Sequence, residues 1–147
     1  MPAIPRQIFD ERLITGLGYA GLLPMLLCVM FINAPWSLPV LEGYSLAIIA
    51  FLAGAWWATA LMHRDCTAAD VRAVLILSNA TVIAAVAAVA LMDSGSLLVL
   101  AVLFACLLKG ENQMAVFRQQ PDYYRGMRTG VSAVAIALHL VAFALVA

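Results

Sequence analysis

The sequence predicts an all-α integral membrane protein, folded as a single bundle of five transmembrane helices. Of its 147 residues, 65% are hydrophobic and only 11% are charged, too few to give a soluble domain of this size a polar surface. A helix needs about 20 apolar residues to cross a hydrocarbon core of roughly 30 Å. The predicted spans are residues 13–32, 43–62, 70–92, 94–114 and 128–147.

The positive charges predict the orientation of the bundle. All eight Lys and Arg residues fall in the N-terminal segment, in the loop after the second span or in the loop after the fourth. With five spans these three places lie on one side of the membrane, and the other side has no positive residue. The positive-inside rule therefore predicts a cytoplasmic N-terminus and an external C-terminus. The formal net charge of zero gives no electrostatic support for a nucleic-acid partner.

The first two spans carry residues that shape helices. Pro24 lies within the first span and removes a helical N–H, so we expect a kink and a free carbonyl at Ala20. Ser37 and Pro39, ahead of the second span, are typical of a helix start. Small side chains let helix backbones approach closely in a membrane. The second span should therefore cross a neighbour along a row of small residues, Ala50, Gly54 and Ala58.

Turn and capping signals separate the remaining spans. His-Arg-Asp at 63–65 is the predicted cytoplasmic turn after the second span, and Thr67-Ala-Ala-Asp70 fits a capping box that starts the third. Asp93-Ser94-Gly95 predicts a tight turn, so spans three and four should form an antiparallel hairpin. The fourth apolar stretch ends at Leu108 and is short unless its helix continues. Pro121-Asp122 predicts the lead-in to the fifth span.

Two adjacent tryptophans, Trp56 and Trp57, lie about 9 Å from the cytoplasmic end of the second span. Neighbouring helical positions point about 100° apart, so we expect one indole to be buried and the other to face lipid. Trp56 is the one predicted to be buried. A buried indole N–H needs an acceptor, for which Asn79 and the carbonyl of Ala20 are candidates. The alternative interpretation makes the two rings one wall of a ligand pocket.

Two further polar residues lie deep in the spans. Asn79 is in the third span and His139 is near the middle of the fifth. Polar residues inside a membrane are costly and usually face the bundle interior. His139 fits a structural hydrogen bond, a proton relay or a ligand to a metal or haem. No second histidine lies at that depth, so neither a metal site nor a bis-histidine haem is expected within one chain, and the sequence identifies no cofactor.

Glu111 follows the fourth apolar stretch, near the cytoplasmic boundary of the membrane. A carboxylate at this position needs a partner unless water solvates it. Two interpretations stay open: a solvated helix end, and a polar site at the cytoplasmic mouth of the bundle. The candidate partners come from the same side of the membrane: Arg72, Arg118, Arg125 and Arg128.

Cysteines and catalytic motifs add no further site. The three cysteines, Cys28, Cys66 and Cys106, are isolated and predict neither a disulfide framework nor a CxxC metal site. The sequence contains no GxSxG, no HExxH and no glycine-rich phosphate loop, which argues against an enzyme.

Three functional hypotheses follow from these features. The first is a non-enzymatic accessory or assembly subunit of a larger membrane complex, supported by the short loops and small-residue rows. The second is a binder or transporter of a small lipophilic molecule within the bundle, with a site drawn from Trp56, Trp57, Asn79, Glu111 and His139. The third is a membrane enzyme that acts on lipid headgroups. The expected partners are the lipid bilayer and either a membrane-protein complex or further copies of the chain.

Three stretches resemble a domain-of-unknown-function family of small bacterial membrane proteins that includes the mitochondrial transmembrane protein sixty-nine. They are GLGYAGLLPM (16–25), YSLAIIAFLAGAWWATAL (44–61) and PDYYRGMRTGVSAV (121–134). The sequence departs from the family pattern at Ala53, where relatives have glycine, and at Tyr123, where they have tryptophan. Relatives also vary at Trp56. The resemblance implies a multi-span α-helical protein of the bacterial inner membrane, and it supplies no activity or catalytic residues.

Overall fold

The computed structural model describes residues 11–62 and 67–147, and within them the chain is helical without strands. Five stretches are long and apolar enough to cross a membrane, so the predicted fold class, an all-α multi-pass membrane protein, is confirmed. The orientation of the termini stays a prediction. The helices are α1 (Glu11–Ala20), α2 (Leu23–Met30), α3 (Ser37–Met62), α4 (Ala68–Leu91), α5 (Gly95–Gln113) and α6 (Asp122–Val146), with a 3₁₀ turn at Ala115–Phe117.

The first membrane stretch is broken between α1 and α2, as Pro24 predicts. The amide of Leu22 donates to the carbonyl of Tyr19 over 3.0 Å, which tightens the chain just before α2 begins. Tyr44 of α3 donates its hydroxyl to the carbonyl oxygen of Gly21 over 2.8 Å. The carbonyl that accepts this bond belongs to Gly21, one residue after Ala20, where the free carbonyl was expected.

The helix starts agree with the capping signals in the sequence. Ser37 begins α3 and its hydroxyl donates to the carbonyl of Ile32 over 2.9 Å. Thr67 caps α4, where its side chain accepts the amide of Asp70 over 3.2 Å. The predicted turn at 63–65, together with Cys66, lies outside the described residues.

The second half of the chain forms a hairpin and then a returning helix. The amide of Ser96 donates to the carbonyl of Asp93 over 2.9 Å, which closes the predicted turn between α4 and α5. The short fourth stretch is completed because α5 continues to Gln113. The 3₁₀ turn then buries Val116 and Phe117 before α6 begins at Asp122.

Helix α3 lies at the centre of the packing. It contacts α2, α4 and α5, whereas α6 packs against α1, α2 and α5. The starts of α1, α4 and α6 and the ends of α3 and α5 share one end of the bundle, which we call the charged end. It carries the described basic residues, Arg12, Arg72, Lys109, Arg118, Arg125 and Arg128.

The predicted small-residue crossing on α3 is wrong. Ala50, Gly54 and Ala58 are exposed, and a Cβ atom placed on Gly54 would meet nothing within 4 Å. Four-residue spacing identifies a helix face but not which face packs, and here larger side chains occupy the buried face. The buried residues of α3 are Ser37, Leu41, Ser45, Ile49, Leu52, Ala53, Trp56 and Ala60.

Candidate functional site

A buried ion pair joins α5 to α6 near the charged end. Arg128 donates from Nη2 to Glu111 Oε1 over 2.6 Å and from Nε to Oε2 over 3.1 Å. Only 8% and 9% of the Arg128 and Glu111 side chains are exposed. Two parallel bonds from one guanidinium to one carboxylate fix both the distance and the orientation of the pair. Glu111 is therefore held within a polar site and is not a solvated helix end.

Trp56 is the third member of this site. Its indole Nε1 donates to Glu111 Oε1 over 3.0 Å. The two acceptors suggested from the sequence, Asn79 and the carbonyl of Ala20, are therefore wrong. Trp56 is 3% exposed, whereas Trp57 is 42% exposed. The prediction that the two tryptophans differ, with Trp56 buried, is confirmed.

Gly110 and Phe117 explain how the large indole fits here. A Cβ atom on Gly110 would stand 3.0 Å from Cζ2 of Trp56 and closer still to Cη2, so only glycine leaves room for the ring. The Phe117 ring also packs against the Trp56 indole, with the ring centroids 5.0 Å apart and the ring planes tilted by 47°. The 3₁₀ turn that buries Phe117 therefore completes the wall around the polar site.

A cavity of about 400 Å³ lies beside the ion pair, between the broken first stretch, α3 and α6. Helix α1 packs on α6 and not extensively on α3, which leaves the space open. The lining is mostly aliphatic and aromatic, with Leu52, Phe104 and Val131 among its members. Leu17 of α1 and Phe51 of α3 also line it, although they are 64% and 75% exposed. The cavity therefore reaches the lipid-facing surface between these two helices.

Four polar side chains reach the cavity wall: Tyr44, Tyr124, Arg128 and Ser132. The hydroxyl of Tyr44 is used in its bond to Gly21. The other three lie four residues apart on α6, so they share one face of that helix. No carboxylate or carboxamide side chain lines the cavity among the described residues. Every polar side chain on the cavity wall can therefore donate a hydrogen bond, and the tyrosine and serine hydroxyls can also accept one.

His139 lies elsewhere in the core and is fully buried. Its Nδ1 is 2.7 Å from the carbonyl oxygen of Ala135, which only accepts, so Nδ1 carries a proton. Its Nε2 is 2.9 Å from the Ser45 hydroxyl, which also lies 2.7 Å from the carbonyl of Leu41. Both ring nitrogens thus have protein partners, an arrangement typical of a structural histidine.

Asn79 and Trp57 are not part of the cavity. The expectation that Asn79 faces the bundle interior is wrong, because its side chain is exposed and Nδ2 donates to the carbonyl of Leu75 one turn earlier, over 2.7 Å. That local bond satisfies one of the two amide N–H donors without a partner helix, which removes part of the cost of placing the side chain at the surface. Trp57 points away from the core because neighbouring positions on a helix point about 100° apart and Trp56 points inward.

Sequence reasoning missed several polar residues. Glu42 accepts a hydrogen bond from the buried Ser96 at the end opposite the charged end. Tyr124 and Ser132 were missed at the cavity, although their spacing from Arg128 was a usable signal. Within the described residues no cluster of three or more His, Cys, Asp or Glu residues is placed to hold a metal ion.

Comparison with known proteins identifies a family but no activity. Residues 11–144 match DUF3429, a family described as proteins of unknown function. No curated protein and no solved structure matches the chain. The family match covers nearly all of the sequence, including both helices of the ion pair and every helix that lines the cavity. The chain therefore belongs to the DUF3429 family of proteins of unknown function.

Proposed function

We propose that the protein binds a small lipophilic molecule within its helix bundle, in the cavity between the broken first stretch, α3 and α6. The observation that carries the proposal is the cavity itself, about 400 Å³ in volume. Sites for small molecules typically enclose roughly 300–1,000 Å³ and combine apolar walls with a few polar groups. This cavity has that composition, with Arg128, Tyr124 and Ser132 as the polar groups.

The position of the opening supports a ligand that arrives from the bilayer. Leu17 and Phe51 are both cavity-lining and exposed on the apolar outside of the bundle. A molecule dissolved in the hydrocarbon core can enter between these side chains without crossing water. This route favours a lipophilic ligand over a polar metabolite.

The other two hypotheses from the sequence have less support. A headgroup enzyme that uses Glu111 needs that carboxylate free, whereas it is engaged by both Arg128 and Trp56. An accessory role in a larger complex stays a prediction, and ligand binding is compatible with it.

The location and orientation also belong to the proposal. We place the protein in the inner membrane of a bacterium, with the charged end in the cytoplasm, because the described basic residues gather at that end. A C-terminal alkaline-phosphatase fusion should be active and a C-terminal green fluorescent fusion dark. The opposite pair of results would reverse the orientation.

Ligand binding is tested by filling the cavity. Ile48 of α3 lines it, so Ile48→Trp should occupy part of its volume and exclude a ligand. Ile83→Trp is the matched control, since Ile83 is 69% exposed on α4 and does not line the cavity. Both variants and the wild type are purified in mild detergent, checked for thermal stability, extracted with organic solvent and analysed by mass spectrometry.

We expect a lipophilic molecule at a fixed ratio to protein in the wild type and in Ile83→Trp, and a loss of most of it in stable Ile48→Trp. Equal amounts in all three proteins would show that the molecule is bound to the outer surface. That result would remove the proposal.

A further inference from the structure

The hydrogen-bonding groups on the cavity wall indicate what kind of molecule fits it. Resting on the proposed function above, we infer that the ligand is electrically neutral and places a carbonyl oxygen on an otherwise apolar body against Arg128 and Ser132. Two observations lead to this inference: the unused donors on α6, and the charge balance of the ion pair beside them.

Arg128 has donors left over after it binds Glu111. Its bonds to the carboxylate use Nε and one N–H of Nη2, and Nη1 makes no hydrogen bond with any described residue. Guanidinium carries five N–H donors and no acceptor. Arg128 lines the cavity and also a much smaller polar pocket beside Glu111. We assign its unused donors to an acceptor on a ligand in the larger cavity.

Ser132 supplies a second unused group, one turn deeper along α6. The residue is only 3% exposed, and it lines the cavity. Its hydroxyl has no hydrogen bond in the described part of the chain, although hydroxyls buried in helices usually bond back to the preceding turn. Among the described residues no fully buried side-chain nitrogen or oxygen lacks a partner, so the unpaired Ser132 hydroxyl is accessible from the cavity that the residue lines. A ligand oxygen placed there would accept a hydrogen bond from it.

The ion pair selects against charged ligands. Glu111 already neutralises Arg128, so an anionic ligand would bring an uncompensated negative charge into an apolar space. A cation would meet the positively charged Arg128 and no carboxylate among the described residues that line the cavity. A neutral carbonyl oxygen accepts from the unused donors and leaves the charge balance unchanged. It is the simplest group that satisfies both the donor and the charge requirement.

Benzophenone is a suitable probe because it is a neutral ketone with two apolar rings, and light crosslinks it to nearby C–H bonds. The full chain is placed in lipid nanodiscs, and crosslinking to the cavity-lining peptides of α2 and α6 is measured. Competition by diphenylmethane tests the carbonyl, because it has the same rings without the oxygen. Competition by 4-benzoylbenzoate tests the charge, because it adds a carboxylate. Competitors are compared at equal concentrations in the lipid phase.

Ser132→Ala tests the hydroxyl, with Ser78→Ala as the matched control. Ser78 is also buried, but its hydroxyl donates to the carbonyl of Leu75 over 2.9 Å and it does not line the cavity. We expect unlabelled benzophenone to compete about fivefold better than diphenylmethane in the wild type and in Ser78→Ala, as one net hydrogen bond implies. That preference should fall several-fold in Ser132→Ala. The carboxylate analogue should compete less well than benzophenone.

The outcomes separate the two proposals. Saturable crosslinking that diphenylmethane blocks as well as benzophenone does would retain the cavity as a ligand site and overturn the carbonyl inference. Stronger competition by the carboxylate analogue would overturn neutrality. The absence of saturable crosslinking to cavity peptides would overturn both. The wild-type comparison decides the carbonyl question even if Ser132→Ala proves unstable.

Discussion

The two flanks of α3 are packed in opposite ways. On the flank that faces α5, Trp56 lies flush against the backbone at Gly110, and its N–H is bonded to Glu111. On the flank that faces α1, the helices stand apart around a cavity of about 400 Å³. Composition does not explain the difference, since both flanks are predominantly apolar. The difference comes from backbone geometry: a glycine permits close approach on one flank, and the helix break just before Pro24 accompanies separation on the other.

Arg128 belongs to both flanks, because it completes the ion pair and also lines the cavity. Replacing it should therefore have the largest effect on stability. Arg128→Gln leaves the Glu111 carboxylate buried without its cation, which should lower the free energy of unfolding by about 3–5 kcal/mol. Reversible unfolding in detergent or bicelles provides the measurement.

Two controls accompany that variant. Arg118→Gln removes a charge from an exposed position at the charged end and should change stability by no more than about 0.5 kcal/mol. The double variant Glu111→Gln/Arg128→Gln removes both charges and keeps an acceptor for Trp56, so it should recover much of the loss. If Arg128→Gln proves as mild as Arg118→Gln, the pair does not stabilise the bundle.

The tight flank is tested by adding one methyl group. Gly110→Ala would press a Cβ atom into the indole of Trp56, and overpacking of this kind typically costs about 1–3 kcal/mol. Gly54→Ala on the outward face meets nothing within 4 Å and should be neutral or slightly stabilising, because alanine is the better helix former. Thermal stability of the two variants, measured side by side, checks the contrast. Equal effects would mean that Trp56 does not rest on α5 as described.

The loose flank is tested at the hydrogen bond that joins Tyr44 to the broken backbone. Tyr44→Phe removes the donor to the Gly21 carbonyl and should cost about 1 kcal/mol, the usual net value of such a bond. Tyr123→Phe is the control, because its hydroxyl makes no hydrogen bond to the described residues and does not line the cavity. Amide exchange around Leu22 should also speed up in Tyr44→Phe alone. Unchanged exchange there would show that Tyr44 does not hold the break.

The fold was predictable where the signal was local. Hydropathy located five membrane-spanning helices, Pro24 located the break, and Thr67 and Asp93 located a helix start and a turn. The packing of α3 was not predictable from its small residues, because Gly54 and Gly110 look alike in sequence. Only the neighbouring helix decides which glycine meets a tryptophan.

The candidate site was predictable only in part. Glu111 stood out as a carboxylate beside an apolar stretch, and Trp56 as the inward member of a pair. The hydrogen bond between Trp56 and Glu111 was not predicted, because it depends on the relative position of α3 and α5 along their axes. Arg128 was one of four candidate partners that the sequence could not separate. The cavity had no sequence signal of its own, because an empty volume is a property of several helices together.

The chain order of the ion pair has a consequence for biogenesis. Glu111 is synthesised before Arg128, and its partner lies in the helix that follows, α6. Until α6 inserts, the carboxylate has the Trp56 N–H but no cation, and its position near the end of α5 leaves it within reach of water. The Glu111 carboxylate gains its cation only after α6 has been synthesised and inserted. A truncated product that lacks α6 would therefore carry the Glu111 carboxylate without the cation that pairs with it.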